Sequence, residues 1–224
     1  MGYSIAIDGP AGAGKSTIAK KIAKSEGLIY VDTGAMYRAM GIHLLNKKID
    51  AADEASINAE CKNADITIKY ENGEQQVYLN GENVTGNLRK EEVGDMASKC
   101  SVFKEVRAKL VELQQKLAET ADVIMDGRDI GTVVLPNANV KIFLTASSRV
   151  RAQRRYDELV AKGETPDIDE IEKDIIERDE RDMNRENSPL RQADDAILVD
   201  TSYMDIDEVC KTIIDIAKEK GGRA

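Results

Sequence analysis

A chain of 224 residues is long enough to bury a substantial core, and 41 acidic against 32 basic residues give it a net charge of −9. That balance argues against a general polyanion binder, so neither nucleic acid nor an anionic membrane is expected as a partner and any anion site must be local. No apolar run approaches the length of a membrane span, and the N-terminus runs straight into an apolar strand, so no anchor or signal peptide is expected and the cytoplasm is the expected compartment.

The first predicted element is a strand at Ser4–Ile7, followed by Gly9-Pro10-Ala11-Gly12-Ala13-Gly14-Lys15-Ser16-Thr17. Residues 9–16 satisfy G-x-x-x-x-G-K-[ST] without a mismatch. The glycines free the backbone to aim successive N–H groups at one anion. Lys15 is then held at the β- and γ-phosphates, and the Ser16 hydroxyl can ligate Mg²⁺. The helix expected to begin at Lys15 adds the positive end of its dipole. These residues predict a nucleoside triphosphate site, with Mg²⁺ as an expected ligand.

Further apolar runs at Leu28–Asp32, Val123–Asp126, Val140–Thr145 and Ala196–Asp200 alternate with helical patterns. The arrangement predicts an α/β fold of the P-loop NTPase class, with a five-stranded parallel sheet flanked by helices. Asp8, Asp32, Asp126 and Asp200 fall at or just beyond strand ends, where ligands collect in such sheets. After the second strand comes Asp32-Thr-Gly-Ala-Met-Tyr-Arg38, with Thr33 expected to cap a helix and Arg38 one turn onward. His43, the one histidine, lies in a helical pattern without a second ligand and reads as structural. Cys61, Cys100 and Cys210 lack C-x-x-C spacing and read as reduced thiols.

Residues 65–84 break the rhythm. They alternate with period two and contain Asn72-Gly73 and Asn80-Gly81, each suited to a type I′ turn. A three-stranded antiparallel meander inserted into the parallel domain is expected. From Phe103 to Leu117 the helical period returns, with Phe103, Val106, Leu110, Leu113 and Leu117 expected on one buried face. The third parallel strand then delivers Asp126, Arg128 and Asp129, and Asp126 reads either as a carboxylate that holds Mg²⁺ or as a structural cap.

Arg149, Arg151, Arg154 and Arg155 fall on one predicted helix, and a break at Gly163–Pro166 separates it from the next. Arg178, Arg181 and Arg185 are spaced to share a face of that second helix, although the interleaved Asp179, Glu180 and Asp182 also suit a solvated ion-pair helix. Beside a phosphate loop, two arginine helices can close over a triphosphate and neutralise the transferring group. A hydroxyl acceptor wants a carboxylate base, whereas a phosphate acceptor is already ionised and wants cations. Arg38, Arg128 and Arg185 therefore point to a phosphate-bearing acceptor, and Asp129 can accept from an exocyclic amine. Gly221–Ala224 reads as a frayed tail.

Taken together, Gly9–Ser16, Asp32–Arg38, Asp126-Gly-Arg-Asp-Ile-Gly-Thr-Val133 and Arg178-Asp-Glu-Arg-Asp-Met-Asn-Arg185 resemble bacterial cytidylate kinases in order and spacing, over essentially the whole chain. The resemblance implies Mg-ATP-dependent phosphorylation of CMP and dCMP. It implies one kinase unit over residues 1–224, with a nucleoside-monophosphate region at 34–100 enlarged by the meander, and a lid with arginine helices at 148–186. It places Thr33, Arg38, Arg128 and Arg185 at the acceptor phosphate, Ser98, Arg107 and Asp129 at the cytosine, and Arg178 and Asp182 at the ribose. Arg154, Arg155 and Arg181 are the implied closing arginines, with Lys15, Arg128, Arg181 and Arg185 catalytic. Thr33 keeps the hydroxyl of a serine that is common there in the family.

The remaining alternatives are a kinase for UMP, AMP, shikimate or another small acceptor, and a nucleotide-gated switch or motor ATPase. The Asn-Lys at 46–47 does not continue into a guanine-reading Asn-Lys-x-Asp run, and no intersubunit motif of an assembly ATPase stands out, so a kinase is the expected reading, with a monomer as the expected form.

Overall fold

The computed structural model describes residues 2–220, so the tail expected at 221–224 lies outside the described residues. In chain order the elements are β1 (Ser4–Asp8), α1 (Lys15–Glu26), β2 (Ile29–Asp32), α2 (Thr33–Asn46), α3 (Glu54–Glu60), β3 (Ile66–Glu71), β4 (Glu74–Leu79), β5 (Glu82–Asn83), α4 (Glu91–Cys100), α5 (Lys104–Thr120), β6 (Val123–Gly127), β7 (Val140–Thr145), α6 (Ser148–Ala161), α7 (Ile168–Asn184), β8 (Ile197–Asp200) and α8 (Ile206–Glu219). A π-helical turn at Ile130–Val134 follows β6.

The five parallel-strand runs become β1, β2, β6, β7 and β8, each within a residue of its expected bounds. They form one sheet in the order β2-β6-β1-β7-β8. The order in which strands are added changes side at β1, with β6 parallel on one side of it and β7 parallel on the other. The phosphate loop leaves β1 at this switch point, where such sheets bind ligands. Ile7 pairs with Asp126 and Asp8 with Gly127, so the phosphate loop and the Gly127-Arg128-Asp129 segment start at the same level of the sheet.

The chain divides into two compact units, one comprising Met1–Tyr30 with Thr120–Ala224 and the other Val31–Glu119. In the first, Ile5, Ile7, Ile22, Ile142, Leu144 and Ile213 pack into one buried cluster around the sheet. Burial of each such side chain contributes roughly 1.5–3 kcal/mol before entropy is counted. In the second, Met36, Met40, Leu44, Ile57, Val77 and Leu110 are fully buried.

The meander forms as a three-stranded sheet, β3-β4-β5. Asn72 and Gly73 have φ of 53° and 80°, and Asn80 and Gly81 have 50° and 84°, as type I′ turns require. α5 departs from its expected face. Val106 and Leu110 are buried, but the stripe continues through Arg107, Gln114 and Ala118 rather than Leu113 and Leu117. Arg107 turns inward to reach Ser101 and the Tyr37 ring, which rotates the buried face by about one residue.

All three cysteines are buried free thiols. His43 is buried and bonded through Nε2 to Glu60 at 3.0 Å, a structural role. Among the described residues no helix is long and apolar enough to cross a membrane.

Candidate active site

The phosphate loop is shaped by close approach. A Cβ on Gly9 would sit 1.9 Å from the Leu144 carbonyl oxygen, so only glycine lets the loop pass over the end of β7. Gly14 has φ 91° and starts α1 with no side-chain cap, leaving the first amides to an anion at the positive end of the helix dipole. Lys15 Nζ donates to the Pro10 carbonyl at 2.7 Å, folding the lysine back over the loop. Burial pulls its pKa down to about 7, assisted by the charge of Arg128 and opposed by Asp126 and Asp8. Thr17 is exposed on α1.

The four strand-end aspartates have separate tasks. Asp8 accepts the amides of Ile130 and Gly131, each at 2.7 Å, and so pins the turn after β6. Burial raises its pKa to about 6 against those two hydrogen bonds. Asp126 accepts the Ser16 hydroxyl at 2.9 Å and the Tyr30 hydroxyl at 2.8 Å, and caps no helix. Asp32, not Thr33, caps α2, because its carboxylate accepts the Ala35 amide while Thr33 is already helical. Asp200 holds a surface turn through Ser202.

The turn after β6 and the end of α7 bring the charges together. Arg128 Nε donates to Asp182 Oδ2 at 2.9 Å. Arg185 stands 3.9 Å from both Asp129 Oδ1 and Asp182 Oδ1, and its Nε donates to the Ser188 carbonyl at 2.7 Å. Burial works against the Asp182 charge, but Arg128, Arg178 and Arg185 outweigh it and hold the carboxyl below its usual range. The expected common face of Arg178, Arg181 and Arg185 is corrected here. α7 stops at Asn184 and Arg185 is extended, with φ −64° and ψ 142°, so a chain turn, not helical period, carries it inward. Arg178 is half-buried and Arg181 exposed, while Asp179 and Asp182 face inward, contrary to a wholly solvated ion-pair helix.

On α6 the arginines separate by task. Arg154 donates to the Thr201 carbonyl at 2.8 Å and lies near Gly14. Arg155 pairs with Glu158 and Arg149 with Asp169 and Glu172, all along exposed helix surface. Arg151 turns inward to the phosphate loop.

In the Val31–Glu119 unit, Thr33 is buried at the first position of α2, and Arg38 is half-buried near Gly34. A Cβ on Gly41 would meet the Val93 carbonyl at 3.1 Å and the Ala97 amide at 3.2 Å, so α2 and α4 cross closely beside Ser98. Ser101 Oγ donates to the Ser98 carbonyl at 2.8 Å, and buried Arg107 donates from Nη1 to the Ser101 carbonyl at 3.1 Å. Gln75 of the meander exchanges two hydrogen bonds with the Asp32 backbone, at 2.9 and 3.1 Å, bracing the start of α2.

The structure thus gathers Lys15, Arg128, Asp129, Arg178, Asp182 and Arg185 in one unit, and leaves Arg155 and Arg181 on its surface. The sequence pointed to Asp8 at a strand end and to Arg151 and Asp179 on the arginine helices, but not to what they touch, the β6 turn for Asp8 and each other for Arg151 and Asp179, and it did not point to Gln75 at all. These contacts join residues distant in sequence and leave no local pattern.

The profile of the cytidylate kinase family matches residues 5–219. The chain is 51% identical over 213 residues to the cytidylate kinase of Caldicellulosiruptor saccharolyticus, covering 95% of this chain and 94% of that protein. It is 50% identical over 216 residues to the cytidylate kinase of Lactobacillus johnsonii, with 96% and 94% covered. An uncharacterized protein from Eubacterium ventriosum shares the fold at 14% identity and a TM-score of 0.53, with 98% of this chain and 99% of that one covered. Since the match runs from β1 through α8 and includes the phosphate loop, the β6 turn and α7, the chain belongs to the cytidylate kinase family.

Proposed function

We propose that the protein transfers the γ-phosphoryl group of ATP to the phosphate of CMP or dCMP, giving ADP and CDP or dCDP. The observation that carries this reading is the cluster of half-buried Arg128 with buried Asp182, Arg185 and Asp129 in the same unit as the phosphate loop. An acceptor phosphate repels the incoming γ-phosphate, and fixed guanidinium groups remove that repulsion. A CMP phosphate oxygen attacks the γ-phosphorus in line while the bond to the β–γ bridging oxygen breaks, leaving ADP. No covalent enzyme intermediate forms, and positioning with charge neutralisation supplies the catalysis.

Lys15 and the loop amides hold the donor phosphates. Ser16 and Asp126 present the hard oxygen donors that suit Mg²⁺ and would hold it, where it would offset the charge of the donor phosphates. Arg128 and Arg185 meet the acceptor phosphate, Asp129 the cytosine amine, and Arg178 and Asp182 the ribose. Within Val31–Glu119, Thr33 and Arg38 are the proposed ligands of the acceptor phosphate, and Ser98 and Arg107 of the base. Residues 34–100 are the proposed monophosphate-binding region and residues 148–186 the proposed lid, with Arg154, Arg155 and Arg181 as its closing arginines. The proposed working form is a cytoplasmic monomer, whose oligomeric state sedimentation would check.

The test is ADP release from Mg-ATP with CMP, dCMP, UMP, AMP or shikimate as acceptor. Dependence on CMP and dCMP is expected. Equal ADP release without any acceptor would mean an ATPase or switch instead.

A further inference from the structure

Arg151 is the one α6 arginine whose side chain reaches three separate parts of the fold. Nε donates to the Ala146 carbonyl just after β7 at 2.8 Å, and Nη1 donates to the Ala11 carbonyl in the phosphate loop at 3.0 Å. The same Nη1 stands 2.6 Å from Asp179 Oδ2 on α7, and both side chains are less than a tenth exposed. A Cβ on Gly12 would meet Arg151 Cβ at 3.3 Å, so the loop lies directly on the arginine stem.

We propose that Arg151 and Asp179 are a positioning pair that fixes the phosphate loop and the acceptor-binding arginine helix in one register. Asp179 and Asp182 lie three residues apart and are both buried, so α7 is fastened at two neighbouring points. Asp182 grips Arg128 on the β6 turn, and Asp179 grips Arg151 and through it Ala11. The first contact sets the acceptor side and the second ties it to the donor side. Holding the Ala11 carbonyl from outside also fixes the orientation of the loop's neighbouring peptide units.

Stability alone is a poor reason for such a pair. Apolar residues of similar volume commonly replace a buried ion pair without loss, whereas a planar fork with donors in fixed directions sets relative orientation. In-line transfer is sensitive to that orientation, because a displacement of about 1 Å can cost about a hundredfold in rate. The proposal rests on the phosphoryl-transfer reading above.

The experiment compares Asp179→Asn, Arg151→Lys and Arg151→Met with the parent enzyme in steady-state kinetics and in ATP binding without acceptor. For Asp179→Asn, kcat is expected to fall by about tenfold or more, while ATP affinity stays within about threefold. Arg151→Lys keeps the charge but not the fork, and should recover only part of the loss in Arg151→Met. The double variant Asp179→Asn with Arg151→Lys should be little worse than the more impaired single variant, since each breaks the same link. Thermal melting accompanies each measurement, and Arg151→Lys carries the arginine arm if the methionine variant does not fold. The pair would be structural only, and the proposal overturned, if kcat stayed within about twofold while the melting temperature fell, or if the two effects simply multiplied. A parent with no acceptor-dependent ADP release would instead sink the phosphoryl-transfer reading itself.

Discussion

The Ser16 hydroxyl donates to Asp126 Oδ2 at 2.9 Å across 110 residues, joining the end of the phosphate loop to the end of β6. Tyr30 donates to the other oxygen at 2.8 Å, so the carboxylate is oriented from two sides. Asp126→Asn keeps the volume but removes the charge beside the Ser16 hydroxyl. It should lower kcat by about a hundredfold and raise the Mg²⁺ concentration needed for half-maximal rate. Tyr30→Phe removes only one donor and should cost about 1–3 kcal/mol of stability with a smaller effect on kcat. Magnesium titrations of the two variants, with urea unfolding, separate these effects.

Arg185 is buried between Asp129 and Asp182 at 3.9 Å from each, and the acceptor phosphate is its proposed ligand. Arg185→Ala should lower turnover by about a thousandfold, the scale of an arginine that neutralises transferring charge. ATP affinity should change far less, since the phosphate loop is untouched. Full turnover in this variant would remove Arg185 from the acceptor clamp. Arg128→Ala should lose turnover similarly and also destabilise the fold, because it leaves the buried Asp182 carboxylate without its 2.9 Å partner.

What could be read beforehand follows from how far each signal reaches along the chain. The strands announced themselves as short apolar runs, and the meander through period two and two Asn-Gly pairs, because backbone preference and alternation act over a few residues. The phosphate loop was legible for the same reason. The supports were not. Asp8 meets Ile130 across 122 residues, and Gln75 meets Asp32 across 43, through side-chain bonds to backbone groups that leave no periodicity. Helical period also misled at two places. Arg107 pulled the buried face of α5 round by docking on Ser101 and Tyr37, and α7 ended one residue before Arg185.

Gln75 exchanges hydrogen bonds with both the amide and the carbonyl of Asp32, the residue that caps α2. The meander therefore braces the start of α2, which carries Thr33 and Arg38. Gln75→Ala should raise the KM for CMP several-fold while leaving the KM for ATP unchanged. Loss of the two bonds should also cost about 1–3 kcal/mol of stability. An unaltered CMP KM in the folded variant would show that the brace has no bearing on acceptor binding.

Asp8 gives a stability test with a definite sign. Its pKa is raised from 3.8 to about 6, mainly by burial. Between those two values the folded protein holds a proton that the unfolded chain has released. Its contribution is therefore fully present below pH 3.8 and is lost as pH rises through about 6. At about 1.4 kcal/mol per unit, the loss approaches 3 kcal/mol, and no further change is expected above that range. Asp8→Asn cannot titrate, so subtracting its unfolding free energy from that of the parent isolates this group from the other carboxylates. Urea unfolding from pH 4 to 7.5 should show the difference moving against the parent up to about pH 6 and then levelling. A difference that instead moved in the parent's favour over that interval would mean the two amide hydrogen bonds from Ile130 and Gly131 outweigh burial, and that Asp8 holds the β6 turn as a low-pKa carboxylate.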